Sequence, residues 1–209
     1  MTASSSSIRD HYGVPVPIHA AALPPPTRTR FQTPPPAADE RGELVRLEDG
    51  RLLRLRQIRA ADRAALQRCF QRLSPDEVRM RFLHVLTTLS DSTAARLCDI
   101  DWEREAAFVL TEDAPPQRAE IHGAARVYID ATTESAEFAI LVERDWTGCG
   151  LGALLMARLI KECRRRGLAE LWGYVLAENH RMLELCEELG FRRSLVPGDA
   201  GTVKVALAL

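Results

Sequence analysis

Lysine is almost absent from this sequence of 209 residues: Lys161 and Lys204 are its two lysines, and arginine supplies the remaining strongly basic side chains. Lys and Arg together number 28 against 29 Asp and Glu, which gives a formal net charge of -1. A protein that holds a nucleic-acid backbone by charge needs an excess of cations. The balance of charges therefore argues against a nucleic-acid-binding protein.

Long apolar runs and paired cysteine motifs are also missing. The apolar runs are short, like Phe138 to Val142, whereas a membrane-spanning helix needs about 20 apolar residues, so an integral membrane protein is excluded. The five cysteines are widely spaced without a Cys-x-x-Cys pair, and no cluster of His and carboxylate residues has metal-ligand spacing. We therefore expect free thiols, no metal site and, without a secretory signal, a cytoplasmic protein.

The first 42 residues differ in composition from the rest of the chain. They hold eight of the twelve prolines, including Pro24 to Pro26 and Pro34 to Pro36, and a run of serines. Such a segment has too few apolar side chains to bury, so its composition predicts a disordered N-terminal tail over residues 1–42. A docking motif for a proline-binding partner is the alternative. Residues 43–209 are expected to form one folded domain.

Apolar periodicity and turn residues in that domain predict a mixed α/β fold. A hairpin with a two-residue turn at Asp49-Gly50 comes first. Asp62 is expected to cap a helix, and a capping box at Ser74 opens another. The further predicted elements are, in chain order, a helix over 92–98, strands over 106–110, 121–129 and 136–142, a helix ending near 166, a strand over 171–176, a helix ending at Gly190 and a strand over 202–209.

A glycine-rich loop joins the strand over 136–142 to the following helix. Gly148, Gly150 and Gly152 fall within five residues there. Glycine lets a backbone approach a ligand closely, and a helix N-terminus presents unpaired N–H groups to an anion such as pyrophosphate. The loop lacks the Gly-Lys-Ser/Thr of a Walker A motif and the glycine spacing of a dinucleotide fingerprint. Taken alone, it could also be a tight structural turn.

Residues 44–209 resemble the GNAT superfamily of N-acetyltransferases at two motifs. The acyl-CoA signature of that family, Q/R-x-x-G-x-G/A, maps to Thr147–Gly152, with Thr147 where the family prefers Gln or Arg. The second motif is an Asn that opens the last helix and a Leu-Gly-Phe that closes it, here Asn179 and Leu189–Phe191. The resemblance implies a central, mostly antiparallel twisted sheet flanked by helices, whose fourth and fifth strands splay apart.

A closer resemblance is to the catalytic domain of bacterial Pat-type protein lysine acetyltransferases. It rests on the stretches Arg51–Arg59, Leu73–Phe82, Ile100–Val109 and Ala136–Ala139. It implies direct transfer of an acetyl group from acetyl-CoA to a protein lysine in a ternary complex. Two alternatives stay open, namely a small-molecule amine as the acceptor and a non-catalytic acyl-CoA-binding sensor.

The resemblance also implies where acetyl-CoA binds as the acyl donor. The pantetheine arm would lie between the splayed strands and pair with the backbone near Leu141 and Val142, and Asn179 would line the thiol end. Thr147 can still form a hydrogen bond, so weaker CoA binding is expected rather than none. The loop residues expected to bind the cofactor, most through their N–H groups on the pyrophosphate, are Thr147, Gly148, Cys149, Gly150, Leu151 and Gly152.

Glu137 is the expected general base. Transfer to an amine requires a neutral nitrogen, and Glu137 is a carboxylate within an otherwise apolar strand, where burial raises the pKa of a carboxyl group. In Pat-type enzymes a Glu of this strand is the proposed base, and Glu137 matches that motif position. A structural ion pair between Glu137 and Arg126 is the alternative.

Cys186 stands where many GNAT enzymes place a Tyr that protonates the leaving thiolate. A buried Cys behaves as a small hydrophobic residue, so we interpret Cys186 as a packing residue. His84, His122 and His180 carry no partner pattern in the sequence, and each is interpreted as structural.

Overall fold

The computed structural model describes residues 42–82, 89–115 and 118–209. The predicted tail, apart from Gly42, and His84 lie outside these ranges. Among the described helices, none is long and apolar enough to cross a membrane. In the same ranges, no group of three or more His, Cys, Asp or Glu side chains could hold a metal ion.

Eight strands and five helices make up the described part of the chain. The strands are β1 (Glu43–Arg46), β2 (Leu52–Gln57), β3 (Glu105–Glu112), β4 (Ile121–Asp130), β5 (Ser135–Val142), β6 (Glu170–Leu176), β7 (Arg192–Val196) and β8 (Asp199–Ala208). The helices are α1 (Arg63–Arg72), α2 (Pro75–Phe82), α3 (Asp91–Cys98), α4 (Leu151–Arg165) and α5 (His180–Glu188). Every element that the sequence predicts is present, with ends shifted by a few residues.

The strands form one sheet in the order β1-β2-β3-β4-β5-β6-β8-β7. Each neighbouring pair is antiparallel except β5 with β6, which confirms the mostly antiparallel mixed α/β fold. Alternate residues of a strand point to opposite faces. On β3, for example, Phe108 packs into the core that contains α4 and α5, whereas Val109 packs into the core beneath α1 and α3. The sheet is therefore the middle layer of three.

The β1–β2 hairpin is present, but its turn has three residues rather than the predicted two. The N–H of Leu47 donates to the carbonyl of Arg51 at 2.9 Å, and the N–H of Gly50 donates to the carbonyl of Leu47 at 3.0 Å. Gly50 has a φ of 87°, the left-handed conformation that ends a three-residue hairpin loop. The predicted loop length was wrong because an Asp-Gly pair fits hairpin loops of two and of three residues.

Two helix starts depend on side chains that the sequence analysis named. At α2, the N–H of Glu77 donates to Ser74 Oγ at 3.3 Å and the N–H of Ser74 donates to Glu77 Oε2 at 2.8 Å, so the capping box is confirmed. Asp62 precedes α1 as expected, but its carboxylate makes no cap hydrogen bond. It accepts instead from Arg56 of β2 at 2.6 Å. Leaving the buried guanidinium unpaired would cost more free energy than leaving the exposed end of the helix to be hydrated by solvent.

Strand β7 is absent from the sequence prediction. It pairs with β8 at the edge of the sheet, and four of its five residues are exposed, with Leu195 at 85%. Without an alternation of buried and exposed residues the strand leaves no period-two signal. The Pro197-Gly198 turn before β8 is the feature that could have indicated it.

The parallel strands β5 and β6 separate soon after they meet. Their last paired residues are Glu137 and Trp172, and beyond these the described residues of the two strands form no further pair. The ring of Phe138 packs on Gly173 at the core face of the sheet, since a Cβ added at Gly173 would lie 2.8 Å from Phe138 Cε1. We call the wedge between β5 after Glu137 and β6 after Trp172 the strand cleft. This separation is the splay that the GNAT resemblance implies. With β1 counted as an additional strand at the N-terminal end, β5 and β6 correspond to the fourth and fifth strands of the family.

Candidate functional site

Glu137 lies at the closed end of the strand cleft. It is only 4% exposed, and its cross-strand neighbours are Tyr128 of β4 and Trp172 of β6. Ala136 and Phe138 on either side of it point into the core that contains α4, so Glu137 points to the opposite face of the sheet. A carboxylate placed there can take a proton from a group that reaches the cleft from this face.

Tyr174 shares this face with Glu137 and stands two residues further along β6. Burial, and then the negative charge of Glu137, raise the pKa of the Tyr174 phenol. The phenol therefore stays protonated at neutral pH and can donate a hydrogen bond. Trp172 meets Tyr174 edge-on, with ring centroids 5.4 Å apart, so two aromatic rings line β6 beside the carboxylate. The sequence motifs missed Tyr174 because only strand pairing brings it near Glu137.

Arg126, the alternative partner considered for Glu137, is its diagonal neighbour on the same face. The guanidinium of Arg126 donates to the carboxylate of Glu105 and to the carbonyl of Leu97. Arg96 donates to the same carboxylate at 2.6 Å. These contacts tie β4 to β3 and α3 and give Arg126 a structural role. The role of Glu137 as a base stays a prediction.

The loop after β5 exposes a set of backbone N–H groups. A short 3-10 turn over Arg144–Trp146 precedes Gly148 and Gly150, which have φ angles of 82° and 81°. Glycine adopts this left-handed conformation without strain, and both positions have open space around them within the described structure. Gly150 is the N-cap of α4, a helix of 15 residues, and has no side chain to cover its first N–H groups. This end of α4 is therefore open to an anion such as pyrophosphate.

Three other expected loop residues act in different ways. The hydroxyl of Thr147 donates to the carbonyl of Arg144 and so closes the 3-10 turn. Leu151 is fully buried, which leaves its backbone N–H as the group that could face a ligand. A Cβ at Gly152 would lie 3.1 Å from Leu185 Cδ2, so this glycine lets α4 and α5 pack closely.

Leu141 and Val142 lie on the edge of β5 near the open end of the cleft. They pair with Ala124 and Gly123 of β4 on one side, and with no described residue of β6 on the other. A strand edge with unpaired backbone groups can pair with an extended chain that carries amides, as pantetheine does. The placement suits the expected pairing, which stays a prediction.

Arg51 of the β1–β2 hairpin reaches the loop, although no motif assigns it a role there. Its Nη2 donates to Sγ of Cys149 at 3.0 Å, and its guanidinium carbon lies 3.8 Å from the ring centroid of Trp146. Asp49 holds the guanidinium at 2.6 Å. A cation thus stands beside the loop in which Thr147 replaces the Gln or Arg of the family. The contact joins residues 98 positions apart, and no local pattern could have shown it.

His122 and Glu143 anchor the start of the loop. The imidazole of His122 stacks on Trp146 with ring centroids 4.2 Å apart, and its Nδ1 lies 2.8 Å from Glu143 Oε2. Arg72 of α1 binds the other carboxylate oxygen at 2.7 Å. Burial acts to raise the pKa of Glu143, but the hydrogen bonds from His122 and Arg72 outweigh it and hold the pKa below its usual value. The structural interpretation of His122 agrees with this place in the fold.

Helix α2 connects the two strands at the open end of the cleft. Glu77 Oε1 accepts from the N–H of Arg144, which follows β5, at 2.7 Å. Arg79 forms an ion pair with Glu178, which follows β6. The helix also packs against β5. It therefore spans the open end from one strand to the other.

Asn179 and Cys186 hold α5 in place. Asn179 is the N-cap, and its Oδ1 accepts from the N–H of Met182 at 3.2 Å. It follows the end of β6, on the side of the glycine-rich loop, and its expected place at the thiol end stays a prediction. Cys186 is fully buried, and burial raises the pKa of its thiol to about 12. The interpretation of Cys186 as a packing residue agrees with this burial. His180 lies exposed at the start of α5.

Comparisons with known sequences agree with this geometry. A family model described as the acetyltransferase (GNAT) family matches residues 63–191. The acetyltransferase PA5475 of Pseudomonas aeruginosa is 33% identical over 163 residues, which cover 78% of this chain and 87% of that protein. The ribosomal protein bS18-alanine N-acetyltransferase of Escherichia coli is 35% identical over 94 residues, which cover 45% of this chain and 60% of that protein.

Solved structures share the fold. The GNAT domain of S. lividans PAT matches with a TM-score of 0.73 and 22% identity, covering 82% of this chain and 98% of that domain. The yncA protein of Salmonella typhimurium, solved with its cofactor acetyl-CoA, matches with a TM-score of 0.58 and 21% identity. The match covers 75% of this chain and 94% of that chain.

Proposed function

The chain belongs to the GNAT family of acetyltransferases, and from this premise we propose that it transfers an acetyl group from acetyl-CoA to the lysine side chain of a protein, with Glu137 as the general base. Acetyl-CoA and the amine bind together, so the transfer is direct. Membership confirms the resemblance on which the sequence analysis relied. The acceptor and the roles of individual residues are the proposed part.

The position of Glu137 carries the proposal. It is a carboxylate with 4% exposure at the point where β5 and β6 stop pairing. Pantetheine that enters between the strands from the glycine-rich loop would bring its thioester toward this closed end. Because Glu137 points away from α4, an acceptor amine approaching from the other face would meet both the thioester and the carboxylate.

The chemistry requires a neutral amine. A lysine with a pKa near 10.4 is neutral about once in 2,500 molecules at pH 7, which corresponds to roughly 4–5 kcal/mol. Glu137 takes one proton from the ammonium, the nitrogen forms a bond to the thioester carbon, the carbon–sulfur bond breaks, and the second proton lost by the nitrogen goes to the solvent. Unpaired N–H groups on the edge of β5 stabilise the negative charge on the thioester oxygen. The protonated phenol of Tyr174, on the same face, is the proposed donor to the leaving thiolate.

Two observations support a protein as the acceptor. The relative from E. coli is by name an N-acetyltransferase of a ribosomal protein, and the Pat-type resemblance favours lysine over an N-terminal amine. In addition, Trp172 and Tyr174 are partly exposed beside Glu137, so a side chain presented by a large molecule can contact the surface next to the carboxylate. A small-molecule amine is the second candidate, because the acceptor surface is what differs most among such enzymes.

Release of free thiol from acetyl-CoA tests the proposal. The full chain is assayed with a protein acceptor such as an acyl-CoA synthetase, a lysine peptide, a peptide that starts with alanine, and a panel of small amines. We expect turnover with the protein or the lysine peptide, lost in Glu137→Gln and kept in Glu134→Gln, whose glutamate is exposed on the turn before β5. Turnover confined to small amines supports the second candidate, and CoA binding without any turnover supports a sensor.

A further inference from the structure

Lys204 occupies an unusual place for one of two lysines in the chain. It lies on β8 opposite Tyr174 of β6, and its side chain is 36% exposed. The Nζ atom lies 4.8 Å from the ring centroid of Trp172 and 3.8 Å from Glu170 Oε1. The ammonium therefore rests over the residue that pairs with Glu137.

Strand pairing puts Lys204 and Glu137 on the same face of the sheet. Trp172 is paired with Glu137 on one side and with Ala206 on the other, and Lys204 is two residues from Ala206 on the same strand. Paired strands lie about 4.8 Å apart, so β8 is about 10 Å from β5 at the level of Glu137, and Lys204 stands two residues, about 7 Å, further along β8. Lysine has a flexible four-carbon stem, so a change of rotamer can bring Nζ from the ring of Trp172 to the closed end of the cleft.

We propose that Lys204 is a self-acetylation site of this enzyme, a step that rests on the proposed function because it uses the same thioester and the same base. Glu137 takes a proton from the Lys204 ammonium, and Nζ forms a bond to the acetyl carbon. The bond from that carbon to sulfur breaks, the second proton that the nitrogen loses goes to the sulfur, and CoA leaves as the thiol while Glu137 returns its proton to the solvent. The products are CoA and a neutral amide on Lys204.

This modification changes the surface that an acceptor meets. The acetylated side chain loses its ion pair with Glu170 and its cation contact with Trp172. The unmodified ammonium stands over Trp172, where an incoming lysine has to pass. Lys204 therefore competes with external acceptors until it is acetylated.

Lys161 provides a matched control. It is exposed on α4, and α4 packs on the face of the sheet opposite to Glu137. Spontaneous acetylation by acetyl-CoA in solution would modify exposed Lys161 at least as readily as half-buried Lys204. Acetylation by the enzyme's own site would modify Lys204 alone.

The test uses the full-length protein mixed with acetyl-CoA, followed over time by intact mass and peptide mapping. We expect acetylation of Lys204 at least about tenfold faster than that of Lys161, and a rate slowed about a hundredfold in Glu137→Gln. The rate constant should not change with protein concentration, because the transfer is intramolecular. Lys204→Arg should remove the modification, whereas Lys161→Arg should leave it in place.

Three results would overturn the proposal: equal rates at the two lysines, a rate in Glu137→Gln equal to that of the wild type, or a rate constant that rises with protein concentration. Thiol release with added amines is measured in parallel to separate the two proposals. Turnover of the added protein or lysine peptide with Lys204 unmodified rejects self-acetylation and leaves the proposed function standing. Neither turnover nor modification, in protein that binds CoA, rejects both.

Discussion

At the scale of the residue, Glu137 shows how a place in a sheet sets the chemistry of a side chain. A general base has to be close to its substrate and shielded from water, and these requirements conflict on an ordinary strand. At the last paired position before two strands separate, a carboxylate is covered by its neighbours on both strands while a gap opens beside its backbone. Glu137, the proposed base, has this position, with 4% exposure.

Glu137→Gln should lower kcat by about 10²–10⁴-fold, the usual contribution of a general base, because glutamine keeps the size of the side chain but cannot take a proton. The KM for acetyl-CoA should stay the same. Steady-state kinetics over a range of pH values measures both, and the increase of kcat/KM with pH should disappear in the variant. A raised KM with an unchanged kcat would instead assign Glu137 to binding.

Arg51→Ala should raise the KM for acetyl-CoA by about three- to tenfold, because a cation beside the loop proposed to bind the pyrophosphate is lost. The kcat should change little. Added salt should reduce the difference in KM between the variant and the wild type, because salt screens the charge of Arg51. Arg54→Ala is the matched control, since Arg54 lies on β2 and pairs with Asp113 at 2.6 Å. An equal rise of KM in both variants would show a general effect of charge.

Among the site residues, those defined by local spacing could be predicted from the sequence. Gly148 and Gly150 belong to a motif of a few residues, and the structure gives both the left-handed conformation that explains the motif. Arg51 and Tyr174 could not be predicted, because each reaches the site through contacts between distant segments. A single sequence carries no signal for such contacts.

At the scale of the element, the start of the glycine-rich loop is held by side chains from α1 and β4. Glu143 ends the paired part of β5 and binds both His122 of β4 and Arg72 of α1. The loop therefore begins from a fixed point, while the glycines beyond it adapt to a ligand. Loss of this point should affect stability and the geometry of the loop together.

Glu143→Gln should lower the free energy of unfolding at neutral pH by about 1–3 kcal/mol, because buried His122 and the more exposed Arg72 both lose an ionised acceptor. The pKa of Glu143 is lowered in the folded protein, so its contribution is present above about pH 4.5 and is lost as the pH falls through the lowered pKa. Urea unfolding at a series of pH values should show that the free energy of unfolding falls less at acid pH in the variant than in the wild type. Part of the loss should remain, since the pKa values of Glu120 and Glu162 are lowered too.

Glu184→Gln is the matched control for this series, because Glu184 is exposed on α5. Its free energy of unfolding should stay within about 0.5 kcal/mol of the wild type. An equal decrease in the free energy of unfolding at acid pH in Glu143→Gln and the wild type would show that the ion pairs of Glu143 contribute nothing to stability.

The elements that the sequence predicts are those whose ends are marked by chemistry or whose faces repeat. The capping box marks α2, and the periodic apolar face and following glycine mark α4. Strand β7 has neither mark, because it lies at the edge of the sheet with its side chains exposed. Asp62 located the start of α1, but its partner on β2 could be found only once the chain was folded.

At the scale of the whole molecule, the sheet is continuous except at the strand cleft. One half of the sheet, β1 to β5, and the other half, β6 to β8, meet at three residue pairs. Helix α2 adds contacts from one strand to the other at the open end. A ligand that lies along the cleft would therefore join the two halves as well as fill the gap.

Acetyl-CoA binding should slow amide hydrogen exchange at early times in residues 138–142, 148–153 and 173–176 together, because one ligand covers the loop and both edges of the cleft. Segments β1 and β7 should exchange as before. Gly150→Ala should lose this protection at the same ligand concentration, and Gly198→Ala should keep it. The two glycines have φ angles of 81° and 80°, so alanine introduces a similar strain of about 1–2 kcal/mol at each, but Gly198 lies in the β7–β8 turn. Protection of the loop and β5 without β6 would contradict binding between the strands, since the ligand would then lie on one half of the sheet alone.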